Sequence, residues 1–235
     1  NRSRSPVISP ITVATAVTTL RERLDETTAA QWTDVSLRRW LDEGIRDIAR
    51  RTRHYWDTDT IDTSADDGEY TVDDDVLHIK HVYFNPDGDT GRQIPLEPRA
   101  FEAMNQVWWD RQDQSSGYPV FFTTYGYAPT LTIKLFPVPS VAGTLTLHVA
   151  RLPAALDVTS GSGNIDVPTG WLEMAYDYAE YMALRKDRDP RWQEAFQMYE
   201  TKVQGLIDMG EYINAPGEFV PTGSGVLPSW LTDWG

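Results

Sequence analysis

The chain has 235 residues, of which 40% are apolar and 24% charged, and its net charge is −14. It contains no cysteine, which excludes disulfide bridges, thiolate metal sites and a cysteine nucleophile. So large an acid excess argues against tight nucleic-acid binding, which rests on cations that neutralise phosphates. No run of about 18 apolar residues offers a membrane helix, and no signal-type apolar block follows Asn1, an unusual first residue that leaves room for further chain upstream. The charge is uneven: residues 1–53 carry ten arginines against seven acids, a balance of +3, whereas the remainder carries eleven basic residues against twenty-eight acids.

In chain order, Val13, Val17, Leu20 and Leu24 recur at helical spacing. A second helix is predicted from Thr33, a capping residue, with Asp34 in its positive first turn and Leu37, Leu41, Ile45 and Ile48 along one face. Trp40 and Gly44 lie beside that face. Arg38, Arg39, Arg46 and Arg50 stand on the remaining surface, with Asp42–Arg46 and Asp47–Arg51 as expected i,i+4 pairs.

Composition then turns to Asp, Thr and Gly over 57–68. Alternation follows, placing Leu77, Ile79, His81 and Tyr83 on one side of a strand and Val76, His78, Lys80, Val82 and Phe84 on the other. Pro86-Asp87-Gly88 reads as a turn. A short helix is expected over 98–110, carrying Phe101, Met104, Val107 and Trp108. Residues 130–136 and 143–149 are two more strands, separated by Pro137-Val138-Pro139. A small antiparallel sheet results. Further on, Thr169 is the expected cap of a helix carrying Trp171, Met174, Ala175, Tyr178 and Met182, and Asp189-Pro190 separates it from a last helix with Trp192, Phe196, Tyr199, Val203 and Leu206.

The final stretch, 214–235, is broken by Pro216, Gly217, Pro221, Gly223, Gly225 and Pro228, yet places Leu227, Trp230, Leu231 and Trp234 near its tip. Extended, such a segment reaches about 70 Å at about 3.3 Å per residue. Disordered termini are poor in aromatics, so these rings are expected to dock in a partner's pocket. The sequence thus predicts an α+β chain: bundle helices in 1–56 and 165–213, a β-rich antiparallel insert in 57–164 and an extended arm in 214–235.

Catalytic patterns are missing. His78 and His81, three apart on a strand, are expected to point to opposite faces and so not to share a metal. Asp73, Asp74 and Asp75 lack the spacing of an EF-hand loop. Gly161-Ser162-Gly163 and Gly223-Ser224-Gly225 belong to no phosphate-binding loop or nucleophile elbow. Trp108, Trp109, Tyr118, Tyr125 and Tyr127 are candidates for a sugar platform, although such aromatics more often fill cores or subunit contacts. No cofactor is expected.

Four stretches in order resemble the head-to-tail adaptors of tailed bacteriophages: the amphipathic helix 34–49, then Gly117-Tyr118-Pro119-Val120-Phe121-Phe122, then Leu131-Thr132-Ile133-Lys134-Leu135-Phe136-Pro137-Val138-Pro139 with Gly143-Thr144-Leu145-Thr146-Leu147, and last Ile165-Asp166-Val167-Pro168 leading into the helix from Trp171. The resemblance implies a non-enzymatic virion protein of the neck, assembled in the host cytoplasm, that forms a homo-oligomeric ring commonly of twelve copies. Its implied partners are the portal ring above and a later tail or neck protein below, with DNA passing through unbound and no membrane involved. It also implies that Leu227, Trp230, Leu231 and Trp234 engage the portal. Arg38, Arg39, Arg46, Arg50, Trp108 and Trp109 are candidates for contacts between subunits. The rival readings are a carbohydrate- or receptor-binding virion module and, behind it, a carboxylate-dependent hydrolase.

Overall fold

The computed structural model describes residues 11–26, 31–88, 91–102, 116–126 and 131–214. A two-residue strand β1 (Ile11–Thr12) leads into helix α1 (Val13–Arg23), whose first turn is capped by Thr12 accepting the Thr15 N–H at 3.1 Å. Helix α2 (Asp34–Thr52) starts at Thr33, which accepts the Ser36 N–H at 3.2 Å, as the sequence predicts. It ends at Arg53 in the left-handed conformation. After the strands the chain returns to α3 (Thr169–Asp187) and α4 (Trp192–Asn214). The N-cap of α3 is Pro168, which has no side chain to offer a bond, so Thr169 is not the cap. At the α3–α4 corner Arg188 is left-handed and Asp189 accepts the Arg191 N–H at 2.9 Å.

Helices α1 to α4 share one core. Val13, Leu20, Leu37, Leu41, Ile45, Ile48, Trp171, Ala175, Ala179, Tyr199 and Val203 pack together there, with Ile165 of a short strand that pairs antiparallel with β1. Gly44 lets α2 approach α3, since a Cβ there would lie 3.0 Å from the Tyr178 Cβ.

The expected helical bundle with a small antiparallel insert is not what forms. Among the described residues ten strands follow β1: β2 (Trp56–Thr63), β3 (Glu69–Thr71), β4 (Val76–Pro86), β5 (Ile94–Pro98), β6 (Ser116–Gly117), β7 (Phe121–Tyr125), β8 (Thr132–Phe136), β9 (Val138–Pro139), β10 (Gly143–Arg151) and β11 (Asn164–Ile165). Seven of them make one mixed sheet in the order β2-β10-β4-β5-β7-β8-β3, in which β5 and β7 run parallel and the other pairs antiparallel. Every one of the seven contributes to a single interior: Ile61, Tyr70, Val82, Phe84, Leu96, Phe122, Ile133, Leu135, Leu145 and Leu147 meet there. A flat sheet cannot bring both edge strands into one apolar cluster, so the sheet curls toward closure as a barrel does.

The Asp/Thr/Gly stretch begins with the full-length edge strand β2. Its side chains are polar because an edge strand presents much of itself to water. Pro137-Val138-Pro139 does not simply interrupt two strands, since β9 pairs parallel with β6. On β4 the buried residues are Val76, Ile79, Val82, Phe84 and Pro86, which is no strict alternation. The register against β10 slips between His148 and Val149 and again between Ala150 and Arg151, leaving Lys80 and Leu77 as extra residues. Each such bulge reverses the parity of the faces. Of the helix expected over 98–110, Pro98 closes β5, Phe101 and Glu102 are helical, and 103–110 lie outside the described residues.

The helical layer meets the barrel at the Trp56 and Ala150 end of β2 and β10. The chain leaves α2 through Tyr55 and returns from β10 through Leu152, and Arg151 N–H donates to the Tyr55 carbonyl at 3.0 Å.

Candidate assembly surface

Helix α2 carries the richest set of charged side chains, and the fold sorts them by direction. Arg38 turns toward the 152–163 loop, where its guanidinium donates to the carbonyls of Val158 at 3.3 Å and Thr159 at 3.0 Å. Gly161, at φ +68, leaves the space that guanidinium fills. Arg38 is thus a strut within the molecule. Arg51 donates two bonds to Glu200 on α4, at 2.7 and 2.8 Å, which hold its pKa above the ordinary guanidinium value. Arg39 and Arg50 are exposed and Arg46 half-buried, and none has a hydrogen bond or ion pair among the described residues. The structure thus divides the four arginines singled out in the sequence into one internal and three outward-facing.

Of the four acids of α2, Asp34, Asp42 and Asp47 are engaged within the molecule, while Glu43 makes no hydrogen bond or ion pair among the described residues. Asp34 pairs with Arg21, which also donates to the Trp32 carbonyl at 2.9 Å and ties α1 to the start of α2. Asp42 accepts the Leu156 N–H at 2.8 Å and makes no ion pair with Arg46, contrary to the i,i+4 expectation. Asp47 accepts the Tyr199 hydroxyl at 2.6 Å and lies 3.6 Å from Arg51, so the second expected pair does form. Burial raises the Tyr199 phenol well above its usual range, with Asp47 adding to the effect, and burial together with Glu43 and Asp47 pushes Tyr178 up to about 12.

A second charged region lies in a cleft of about 490 Å³ lined by Arg23, Asp177, Glu180, Arg191, Glu194 and Lys202. Asp177 is buried and held by Arg23 at 3.0 Å and by Lys202. Burial raises the Glu180 carboxyl above the usual carboxylate range.

Where helices meet barrel, Arg151 is surrounded by Asp57 at 3.3 Å, Asp59 at 3.1 Å, Asp73 at 3.8 Å and Asp75 at 3.6 Å. Four carboxylates share one cation, and burial raises the Asp75 carboxyl despite the nearby guanidinium. Asp57 and Asp59, two apart on a strand, had to share a face; that spacing was a readable signal for a compensating cation, and the sequence reading did not use it.

The histidines fall differently from expectation. Because Lys80 is an extra residue, His78 lies opposite Ala150 and His81 opposite His148, which puts His78 and His81 on one face. The His81 and His148 rings are 6.4 Å apart, and Tyr83 packs edge-on to His148 at 5.7 Å. Burial lowers the pKa of both His78 and His81, and Lys80 adds to it. Among the described residues no group of three or more His, Asp or Glu is placed to hold a metal ion. Trp108, Trp109, Leu227, Trp230, Leu231 and Trp234 lie outside the described residues.

Residues 11–218 match the family described as SU10 adaptor protein. The chain belongs to that family. The match spans every element from β1 to α4 and bears out the likeness to head-to-tail adaptors read from the four sequence stretches. This SU10 adaptor is therefore a structural component of a bacteriophage virion, associated with portal and tail proteins. A comparison with curated protein sequences found no match.

Proposed function

We propose that this SU10 adaptor forms a ring of identical copies, commonly twelve in number, that joins the portal to the tail and lines the path of the DNA. The observation that carries this reading is the family match over 11–218. Its physical support is the division of the fold. Helices α2 to α4, welded by Tyr178, Tyr199 and the Arg51–Glu200 pair, form a rigid wall of the kind a lateral contact needs. A ring requires two different faces on each copy that meet and close. The net charge of −14 lets DNA slide past without adhering, since few cations are offered to release its counterions. No reactive centre takes part.

The segment 214–235 is the portal-engaging arm in this reading, with Leu227, Trp230, Leu231 and Trp234 as its apolar anchors. Trp108 and Trp109 belong to subunit or partner contacts. The segments 1–56 and 165–213 act together, and 57–164 forms the second part of each subunit.

Mass photometry and negative-stain imaging of the chain mixed with purified portal test the proposal. The expected result is a ring seated on the portal, and a chain ending at Ile213 is expected to lose at least tenfold in portal affinity. A solitary chain that ignores the portal overturns the reading. Assembly untouched by the truncation removes the arm from it.

A further inference from the structure

Three arginines of α2 point outward from one sector of the helix. At about 100° per residue, positions 39, 46 and 50 fall within roughly 40° of one another and span about 16 Å along the axis. Arg53, the left-handed residue just past the helix end, is exposed as well. None of the four has an ion pair among the described residues: Asp34, Asp42 and Asp47 are each engaged elsewhere, and Glu43, the one carboxylate in the same sector, pairs with none of them. In a chain with fourteen excess negative charges, a row of four cations set against one carboxylate is not explained by solubility.

The opposite imbalance sits at the far end of the barrel. Asp62 lies one residue before Thr63, which pairs with Gly143. Asp87 N–H donates to the Ala142 carbonyl at 2.9 Å, and Asp66 N–H to Pro139 at 2.8 Å, so these loops gather around the β9–β10 turn together with Asp67. All four carboxylates are exposed and have no ion pair among the described residues. The two rows cannot reach each other within one molecule. Strands β2 and β10 run from the helical layer at Trp56 and Ala150 to this end at Thr63 and Gly143, about 23 Å at about 3.3 Å per residue.

We infer that the arginine row of α2 (Arg39, Arg46, Arg50, Arg53) docks on the acidic barrel end (Asp62, Asp66, Asp67, Asp87) of a second copy. The inference rests on the ring reading and names the two faces that meet. They are different surfaces of the same chain, so the contact is heterologous and repeats from copy to copy until it closes. Opposed charges at the rim act mainly on encounter and register, so the contact weakens with salt.

The test uses two full-length charge reversals, one with Arg39, Arg46 and Arg50 changed to Glu and one with Asp62, Asp66 and Asp67 changed to Lys. Both sets are exposed or half-exposed, and thermal melting checks that each variant folds. Oligomer formation is followed by mass photometry, alone and on purified portal. Each variant alone is expected to assemble at least tenfold less well than the parent, and an equimolar mixture is expected to recover assembly. In the mixture the Glu row meets the Lys end and the native row meets the native end, so copies alternate. Parent oligomers are expected to loosen between 50 and 500 mM salt. Variants that assemble like the parent, a mixture that stays apart, or salt-insensitive parent rings overturn the inference while leaving the ring itself standing. A parent chain that never oligomerises, even on the portal, overturns both. Tight binding of duplex DNA, lost with the arginine reversal while the ring persists, assigns the row to nucleic acid and overturns the inference as well.

Discussion

Tyr199 on α4 donates its hydroxyl to the Asp47 carboxylate on α2 at 2.6 Å, joining residues 152 positions apart in the chain. The ring is almost wholly buried and lies 5.2 Å from that of Tyr178, and Arg51 is placed beside both Asp47 and Glu200. The first and last parts of the chain are thereby locked into one layer. Replacing Tyr199 with Phe keeps the packing and removes the bond, for an expected cost of about 1–2 kcal/mol. Tyr199→Ala also opens a cavity and costs about 3–5 kcal/mol. Chemical denaturation of the two variants separates the contributions.

At the far end of the barrel, Gly143 pairs with Thr63 on one side and Pro86 on the other, and its space is closed by the Asn85 carbonyl and the Phe84 ring. A Cβ here has to displace backbone, so Gly143→Ala is expected to cost about 1–3 kcal/mol. Gly205, in the exposed middle of α4, meets nothing within 4 Å. Gly205→Ala is expected to gain about 0.5–1 kcal/mol from reduced backbone freedom in the unfolded chain. Melting temperatures moving in opposite directions support both assignments.

Arg151 is the cation shared by Asp57, Asp59, Asp73 and Asp75. Arg151→Met leaves these carboxylates to repel one another, with an expected loss of about 1–3 kcal/mol at pH 7. Without the guanidinium, which lowers it, the Asp75 carboxyl rises further above its unfolded value. A raised carboxyl favours folding while protonated and loses that contribution as pH rises through the folded value. The deficit of the variant is therefore expected to shrink between pH 7 and pH 4, as thermal melts across that range will show. Asp75, already raised in the parent, has the same sign.

Strand β2 is an edge of the sheet, and Asp57 and Asp59 each accept the N–H of the next residue, Thr58 and Thr60, at 2.8 Å. Charges and occupied donors discourage another chain from pairing along that edge. Changing both aspartates to Val is expected to raise aggregation on mild heating, measured by light scattering and dye binding. The Asp57→Asn, Asp59→Asn variant keeps an acceptor oxygen at both places and is expected to aggregate less than the Val variant.

Much of the helical layer was legible in the sequence because its signals are local. The Thr33 cap, the Leu37-Leu41-Ile45-Ile48 face and the Asp189-Pro190 corner each depend on residues a few positions apart. The barrel was not, since its strands are defined by partners far along the chain. Asp57 to Thr63 carries Ile61 as its one apolar side chain, and becomes a strand through seven pairings with β10. Residue type gave no notice of the bulge at Lys80, yet that residue brings His78 and His81 to one face. The arginines make the same point. Arg38 and Arg39 are neighbours of the same kind, but a rotation of about 100° sends one into the 152–163 loop and the other to the surface.

By itself the sequence determined the helices, the acid excess, the absence of cysteine chemistry and the adaptor likeness, because periodicity, composition and ordered motifs survive without three-dimensional context. Tertiary structure decided that the central region is a curled seven-stranded sheet with its own core, and which charges are spent internally and which remain outward. Burial and pairing depend on which distant segments meet, and those meetings are fixed by packing of the whole chain, not by any short stretch of it.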